Sequence, residues 1–432
     1  MRTNVVIEGA RRLQYEIREI VDFGNKLKSM GVPMEWENIG DPIAAGEKVS
    51  PWIKETVLDL VQQDRSWAYC PSRGVLQTRE FLADIVSSRP GSVKIGPDDI
   101  LFFNGVADAV DKIYDLIRRD ARVMMQAPSY PTHSSNEAKR SDYERIQFHL
   151  DPFNEWQPDL EEMENKIKYN PQVVAIALVN PDNPTGTCYR RETLDRIVAI
   201  ARRYRLFIIC DEIYAHICYN GASTLHLSQV VGDVPAIVLR GISKDYPWPG
   251  SRCGWIEMLN RDKDPAFNEY CETMVKAKMM EVCSTTLPQL SVPLVYGDPR
   301  YMEVKAQRAA MFERRANAVY NFFKDVPQVI AHPVQGAFYY CVVFRKGLLN
   351  DRQTLPIRNP AVREFVEQSV RGVAPDKRFV HYLMGSAGVC VTPLSGFHSD
   401  LAGFRITTLR VDDEARMQVL GKIRQAIEDY VR

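Results

Sequence analysis

Short apolar runs alternate with amphipathic stretches through the first two thirds of the chain. Val173 to Val179 is a continuous apolar run, typical of a strand covered on both faces of a parallel sheet. The next stretch repeats apolar residues at helical spacing, at Leu194, Ile197, Val198, Ala201 and Tyr204. Further strands are predicted at Ile100 to Phe103, Val123 to Met125, Ile146 to Leu150, Leu206 to Cys210, Ala236 to Leu239 and Gly254 to Met258. This alternation predicts an α/β fold with a mostly parallel, doubly wound sheet, whose ligands bind beyond the carboxyl ends of the strands.

The pattern changes after Thr285, where a long helix from Tyr301 to Phe323 is followed by shorter elements. Strands are predicted at Phe338 to Phe344, Gly388 to Thr392 and Phe404 to Leu409, and helices at Pro51 to Gln62 and Asp412 to Tyr430. We therefore predict three segments. Residues 1–65 form an N-terminal arm and part of a small domain, residues 66–298 a large α/β domain, and residues 299–432 the rest of the small α+β domain, which both termini thus build.

The composition narrows the class of protein. Lys and Arg number 55, as do Asp and Glu, so no net charge favours binding to nucleic acid or to an anionic membrane. The nine cysteines form no Cys-x-x-Cys pair, which predicts free thiols in a reducing compartment and no metal site. The chain lacks a secretory signal and any apolar run long enough to span a membrane. We therefore expect a soluble cytoplasmic protein.

The first candidate for chemistry is a lysine that follows an apolar strand. Lys244 comes soon after the run from Ala236 to Leu239, and Arg252 lies eight residues further on, behind a Pro-Gly turn. A lysine among apolar neighbours or near a second cation loses part of its preference for the charged form and becomes a usable nucleophile. A guanidinium suits a phosphate. An aldehyde that carries a phosphate, such as pyridoxal 5′-phosphate, would satisfy both groups, although a solvated surface pair is the alternative.

Three other segments lie where predicted strands end. Gly105 joins a strand to a helix start, where free backbone N–H groups suit a phosphate. Asn183 lies in a loop from Asn180 to Gly186 that two prolines and a glycine make rigid. Asp211 follows an apolar strand, which costs desolvation unless the carboxylate has a cationic partner or caps a helix.

Together these segments resemble the class I and II aminotransferases, the fold-type-I family of pyridoxal-phosphate enzymes, over nearly the whole chain. The resemblance is carried by the Asn-Pro-x-Asn-Pro-Thr-Gly loop at 180–186, by Asp-Glu-x-Tyr at 211–214, and by Ser-Lys with Pro-Gly-x-Arg-x-Gly-Trp at 243–255. The motifs occur in the family's order and at suitable spacing. The resemblance implies a large cofactor-binding domain and a smaller second domain.

The resemblance assigns roles around the cofactor. Lys244 would bind it covalently and, once released by substrate, move a proton between Cα and the cofactor's C4′. Asp211 would face the pyridine nitrogen and keep it protonated, while Tyr214 and Asn183 would bind the ring O3′. The phosphate would be held by Gly105, Val106, Ala107, Ser243 and Arg252. Many relatives have a hydroxyl residue where Ala107 stands.

The resemblance also assigns substrate and partner contacts. Arg405 would bind the substrate α-carboxylate, and the backbone of Gly40 would contact the same group. Tyr130 would stack on the cofactor ring, with ordinary core packing as the alternative. Tyr69 matches the tyrosine that reaches the phosphate of the neighbouring subunit's cofactor, which implies a homodimer with shared active sites.

A weaker similarity points to one branch of the family. The segments at 15–18, 38–40 and 404–413 are similar to the alanine (glutamate-pyruvate) aminotransferase branch. In that branch the residues matching Tyr15 and Arg18 lie over the substrate; the alternative is a helix face packed on the small domain. Arg18 could then receive the distal carboxylate of glutamate or 2-oxoglutarate.

The sequence therefore predicts a pyridoxal-phosphate-dependent amino-acid aminotransferase with ping-pong kinetics. It would move an amino group between an L-amino acid, alanine or similar, and 2-oxoglutarate or pyruvate. The alternatives are an aspartate or aromatic aminotransferase, or a β-lyase or decarboxylase on the same fold. A cofactor-binding regulatory module is disfavoured because the chain shows no DNA-binding domain and keeps the full set of predicted chemical residues.

Overall fold

The structure, a computed structural model, describes residues 5–6, 8–13, 15–141 and 143–432. Its strands are β1 (Glu35–Trp36), β2 (Ile100–Phe103), β3 (Arg122–Ala127), β4 (Ile146–Asp151), β5 (Gln157–Pro158), β6 (Val173–Val179), β7 (Phe207–Asp211), β8 (Ala236–Gly241), β9 (Gly254–Leu259), β10 (Val329–Ile330), β11 (Tyr339–Phe344), β12 (Val389–Cys390), β13 (Thr392–Pro393) and β14 (Gly403–Thr407). Its α-helices are α1 (Glu16–Ser29), α2 (Pro51–Val61), α3 (Leu76–Ser88), α4 (Val106–Asp115), α5 (Pro131–Arg140), α6 (Leu160–Tyr169), α7 (Arg191–Tyr204), α8 (Ile242–Asp245), α9 (Pro265–Met279), α10 (Thr286–Tyr296), α11 (Arg300–Phe323), α12 (Pro360–Ser369), α13 (Pro375–Ala387) and α14 (Asp413–Tyr430).

The central sheet has eight strands in the order β2-β9-β8-β7-β6-β3-β4-β5. Strands β8, β7, β6, β3 and β4 are parallel neighbours. Strand β9 runs antiparallel to both β8 and β2, so the predicted strand at Gly254 does not continue the parallel series. The α/β class with a mostly parallel sheet is confirmed.

Strand β6 shows why its apolar run is continuous. Ile176 and Leu178 face one core, together with residues of α7, while Ala175 and Ala177 face a second core on the other side of the sheet. Successive side chains of a strand point to opposite faces, and here both faces are covered. Each fully buried large aliphatic side chain contributes about 1.5–3 kcal/mol to folding.

A smaller antiparallel sheet, in the order β10-β11-β14-β13, carries the C-terminal part of the chain. Near it, β1 pairs in parallel with β12, with Glu35 opposite Val389, and α1 packs against α13. The two termini therefore meet in one region. The segment boundaries at residues 65 and 298 stay predictions.

Two features differ from the sequence-based expectation. The single strand predicted from Gly388 to Thr392 is wrong: β12 pairs with β1 and β13 with β14, because the chain passes from one sheet to another at buried Val391. Helix α5 carries polar residues on its buried side, so no amphipathic pattern marks it. Its Glu137 is fully buried and is paired with Arg122, at 2.9 Å, and with Arg140.

Within the described ranges, no helix is both long and apolar enough to cross a bilayer. The same ranges contain no cluster of three or more His, Cys, Asp or Glu side chains that could hold a metal ion.

Candidate active site

A cavity of about 760 Å³ lies where the parallel strands β6 and β7 end, next to the short helix after β8. It brings together most of the predicted site residues, namely Tyr15, Arg18, Gly40, Val106, Ala107, Tyr130, Asn183, Asp211, Tyr214, Ser243, Lys244, Arg252 and Arg405. A second cavity, of about 790 Å³, lies near the start of β7 and contains none of the predicted site residues. We therefore take the first cavity as the candidate site, although the second is slightly larger.

Lys244 lies on α8, directly after β8, and its Nζ donates a hydrogen bond to the carbonyl oxygen of Gly40 at 2.6 Å. Burial lowers the pKa of Lys244 to about 8. The positive charges of Arg252 and Arg405 lower this pKa further, and the carboxylate of Asp41 opposes the shift. An amine with such a pKa is partly neutral near physiological pH and can act as a nucleophile or a base.

Arg405 lies on β14 and is only 1% exposed. Its Nη1 donates to Oδ1 of Asn183 at 2.9 Å, and its Nη2 donates to the carbonyl oxygen of Asn38. Its Nε is buried without a hydrogen-bond partner, and no carboxylate of the described residues pairs with it. A buried guanidinium without an anion is costly, so a bound carboxylate would complete this site.

Asp211 ends β7 and is 1% exposed. Its Oδ1 accepts the backbone N–H of Ile213 at 3.0 Å, as a cap would, while Oδ2 lies 3.3 Å from Nε2 of His133. The Nδ1 of His133 lies 3.4 Å from the hydroxyl of Tyr114. The carboxylate thus both caps its own turn and lines the cavity. A carboxylate held this way suits a protonated ring nitrogen.

Aromatic hydroxyls meet in pairs at the cavity. The hydroxyl of Tyr214 lies 2.9 Å from that of Tyr339, and the hydroxyls of Tyr15 and Tyr130 are 3.3 Å apart. Burial holds the pKa values of Tyr214 and Tyr130 well above the ordinary phenol value, so both remain neutral donors. A Cβ on Gly40 would come within 2.0 Å of the Tyr339 hydroxyl, so only glycine lets this hydroxyl reach Tyr214.

An anion cradle forms where β2 passes into α4. Gly105 has φ +89° and precedes Val106, the first residue of the helix, whose free N–H groups suit a phosphate. A Cβ on Gly105 would meet Nη2 of Arg252 at 2.3 Å, so the guanidinium packs directly on this backbone. Ala107 and Ser243 line the cavity beside it. The phosphate contacts that the resemblance implies stay predictions.

The loop that presents Asn183 is fixed by a buried carboxylate that sequence reasoning did not single out. Asp182 accepts the backbone N–H of Thr185 at 3.0 Å, its hydroxyl at 2.5 Å, and the amide of Gln126 at 2.5 Å. Burial raises the pKa of Asp182 to about 7, although these hydrogen bonds oppose the shift. The side chain of Asn183 is thereby held towards Arg405.

Tyr69 lies outside the cavity and is 84% exposed. Its predicted contact with a cofactor phosphate would require a second subunit, and it stays a prediction. Tyr15, Ile17 and Arg18 all line the cavity, and Ile17 also packs against a core. The substrate contacts of Tyr15 and Arg18 stay predictions.

No sequence pattern distinguishes three further residues of this region, of which Tyr339 and Asp41 line the cavity and His133 contacts Asp211. Tyr339 lies in a predicted apolar strand, where a tyrosine is ordinary core. His133 follows Tyr130 by three residues, but no helix was predicted there to place both on one face. Asp41 belongs to a turn, where aspartate is common. Each of these residues reaches the site only because the elements that carry it pack together in the folded chain.

Residues 38–423 match the family described as aminotransferase class I and II. An uncharacterized aminotransferase from Methanocaldococcus jannaschii is 47% identical over 432 residues, which cover 100% of both chains. The glutamate-pyruvate aminotransferase AlaA of Escherichia coli K12 is 28% identical over 337 residues, 77% of each chain.

Solved structures share the fold. An Escherichia coli aminotransferase superposes with a TM-score of 0.84 at 22% identity, covering 100% of both chains. An alanine aminotransferase from Pyrococcus furiosus gives a TM-score of 0.83 at 24% identity, covering 98% of this chain and 99% of its own. The match to the family over residues 38–423 and the relative at 47% identity show the family of this protein. The chain belongs to the class I and II aminotransferases, and it is a transaminase.

Proposed function

We propose that this transaminase uses pyridoxal 5′-phosphate to move an amino group between an L-amino acid and a 2-oxo acid. One observation carries the proposal. The loop at 38–40 accepts hydrogen bonds from two cations, Lys244 at the carbonyl of Gly40 and Arg405 at the carbonyl of Asn38. A nucleophilic amine and a carboxylate-binding guanidinium therefore face one cavity.

The residues present fit this cofactor. The backbone at Gly105 and the guanidinium of Arg252 form a cradle for the phosphate, and the buried carboxylate of Asp211 suits a protonated ring nitrogen. The neutral phenol of Tyr214 can donate a hydrogen bond to the ring oxygen. When bound, the cofactor supplies an aldehyde for the substrate amine and a ring that withdraws electrons from Cα.

The chain itself orients the substrate and moves the proton. Arg405 would hold the α-carboxylate through two hydrogen bonds, which fixes the direction of the Cα–H bond. The Nζ of Lys244 would remove that proton. Its pKa of about 8 lies near neutrality, where a group both accepts and returns protons efficiently.

The spectrum of the purified protein tests this function. We expect a visible absorption band from the bound cofactor, which an amino donor abolishes and a 2-oxo acid restores. Alanine, aspartate, glutamate and an aromatic amino acid are added separately, which ranks the donors. Keto-acid formation without any acceptor would instead indicate a lyase, and a protein that cannot take up the cofactor would contradict the proposal.

Substituting Gly105 with alanine should weaken binding of pyridoxal phosphate by on the order of tenfold or more, because the residue adopts φ +89° and its new Cβ would displace Arg252. Fluorescence titration of the apoprotein measures the dissociation constant. Gly250→Ala is the matched control, since Gly250 lines the same cavity and its Cβ would meet no atom within 4 Å. Equal affinities for the two variants would contradict the predicted cradle.

Glutamate and alanine are the proposed donors, and Arg18 is the proposed contact for the distal carboxylate. Arg18 is exposed at the cavity, and the described residues offer it no ion-pair partner. We expect Arg18→Ala to raise KM for glutamate about tenfold while KM for alanine changes less than about twofold, since only glutamate loses a charged contact.

Steady-state kinetics with both donors measures this difference. Lys28→Ala is the control, because Lys28 is an exposed cation on the same helix that does not line the cavity. Equal changes in both KM values for Arg18→Ala would rule out the assignment.

A homodimer is proposed from the exposed surface. Large apolar side chains are exposed at Trp67, by 76%, at Tyr69, by 84%, and at Met280, by 87%. Such exposure on a soluble chain is typical of a protein interface. Light scattering of the purified protein should give twice the chain mass. We also propose a cytoplasmic location, because all nine cysteines are free thiols.

A further inference from the structure

Two buried arginines of the long helix α11 donate hydrogen bonds to the backbone near the two chemical groups of the site. These groups are the amine of Lys244 and the guanidinium of Arg405. Arg308 is 8% exposed, and its Nη1 donates to the carbonyl oxygens of Lys244, at 2.7 Å, and of Asp245, at 2.6 Å. These carbonyls end the short helix α8 and have no following turn to bond. The guanidinium therefore fixes the backbone from which the lysine side chain projects.

The second arginine, Arg315, also donates hydrogen bonds to backbone carbonyls, here next to the strand that carries Arg405. Arg315 is 6% exposed, and its Nη1 donates to the carbonyl oxygens of Thr408, at 3.3 Å, and Leu409, at 3.2 Å. These residues directly follow β14, the strand that carries Arg405. Arg315 thereby anchors the end of that strand to α11.

The two arginines lie on one face of α11. Seven residues are about two helical turns and a rise of about 10.5 Å. The ring of Phe312, which is fully buried, lies between them, 5.5 Å from the guanidinium carbon of Arg308 and 5.9 Å from that of Arg315. A packed, two-turn segment of helix is stiff, so the two anchor points keep a constant separation.

Arg308 also secures the loop that covers the site. Its Nε and Nη2 pair with the carboxylate of Glu47, the latter at 3.3 Å. Glu47 lies further along the loop whose residues Asn38 and Gly40 accept hydrogen bonds from the two cavity cations. Removing one partner of a buried pair of this kind leaves an uncompensated charge, so loss of Arg308 should disturb this loop.

We infer that Arg308 and Arg315 are positioning residues on α11: Arg308 fixes the backbone that carries the amine of Lys244, and Arg315 fixes the end of the strand that carries the guanidinium of Arg405. The inference rests on the proposed function, because it takes the lysine as the base and the arginine as the carboxylate site. It assigns separate consequences to each anchor. Arg308 governs proton removal, and Arg315 governs carboxylate binding.

The test separates these two consequences in the cofactor-loaded enzyme. 2-Methylalanine binds as an amino acid but has no Cα proton, so its spectroscopic dissociation constant reports only the steps that precede proton removal. The rate of the single-turnover absorbance change with alanine measures proton removal. We expect Arg308→Met to slow that rate on the order of 100-fold with less than about twofold change in the dissociation constant. Arg315→Met should raise the dissociation constant about tenfold.

Arg314→Met is the matched control. Arg314 is exposed on the same helix, and among the described residues its side chain donates a hydrogen bond only to the carbonyl of Ala310, one turn earlier. Arg308→Lys and Arg315→Lys each keep one charged donor and should recover part of the loss, and they decide the question if a methionine variant does not fold.

Two outcomes would overturn the inference. Variants that match Arg314→Met in both measurements would show that the anchors do not position the groups. Equal loss in both measurements for either arginine, in proportion to a lower melting temperature, would show a general role in stability. Failure of the proposed function is distinguishable, because the wild-type protein itself would then lack the absorbance change.

Discussion

Lys244→Ala should lower kcat/KM for transamination by on the order of 10⁴-fold, the upper range for loss of a positioned acid–base group. The expected size reflects two roles of one amine, as nucleophile and as base. Its pKa of about 8 places the amine where both roles work near neutrality. Neighbouring Ser243 and the cradle at Gly105 remain, so the variant should still bind pyridoxal phosphate without a covalent bond.

Rapid-mixing spectroscopy with alanine and 2-oxoglutarate measures the loss. Lys244→Arg keeps the positive charge but cannot give up its proton, so it should be as inactive as the alanine variant. Lys276→Ala, at an exposed position of α9, is the control and should retain wild-type rates. Substantial activity in either Lys244 variant would mean that another group is the base.

Arg405→Gln should lower kcat/KM for amino acids on the order of 100-fold or more. The guanidinium is 1% exposed, and the described residues supply it with no carboxylate. Losing one partner of a buried ion pair costs about 3 kcal/mol or more, which corresponds to a factor of about 100 or more. The loss should appear in KM, because the contact exists before the proton moves, and in kcat, because the contact also orients the Cα–H bond.

A substrate without a carboxylate makes this test specific. The half-reaction with a simple primary amine should proceed equally in wild type and Arg405→Gln, because neither uses the guanidinium. Arg424→Gln is the matched control: Arg424 is exposed on α14 in the same C-terminal region, pairs with Glu428, and does not line the cavity. A comparable loss with the simple amine would show that the substitution disturbs the cavity instead.

The sequence was sufficient for the parallel strands of the large sheet and for the residues at their ends. Continuous apolar runs mark buried parallel strands, and β6 coincides with its predicted range, Val173–Val179. Parallel strands end at one edge, so Asn183, Asp211 and Lys244, each just after a strand, were expected together. They line one cavity. This part is predictable because strand burial leaves a local pattern.

Helix α5 and the break between β12 and β13 were not predicted, for a different reason. Helix α5 buries Glu137 in a cluster with Arg122, so its polar sequence hides a buried face. The chain near Val391 passes between two sheets, which no local pattern reveals. In both cases the local sequence lacks a clear hydrophobic pattern, because contacts with residues distant in sequence determine the structure.

By itself, the sequence determined the fold class, the family and the set of chemical side chains, because these depend on local patterns and ordered motifs. Only the tertiary structure decided how the site is assembled. Lys244 meets Gly40 across 204 residues, and Arg405 meets Asn38 across 367. The phenol of Tyr339 enters the site because Gly40 leaves it room. Contacts over such separations depend on how whole elements pack, and packing leaves no periodic trace along the chain.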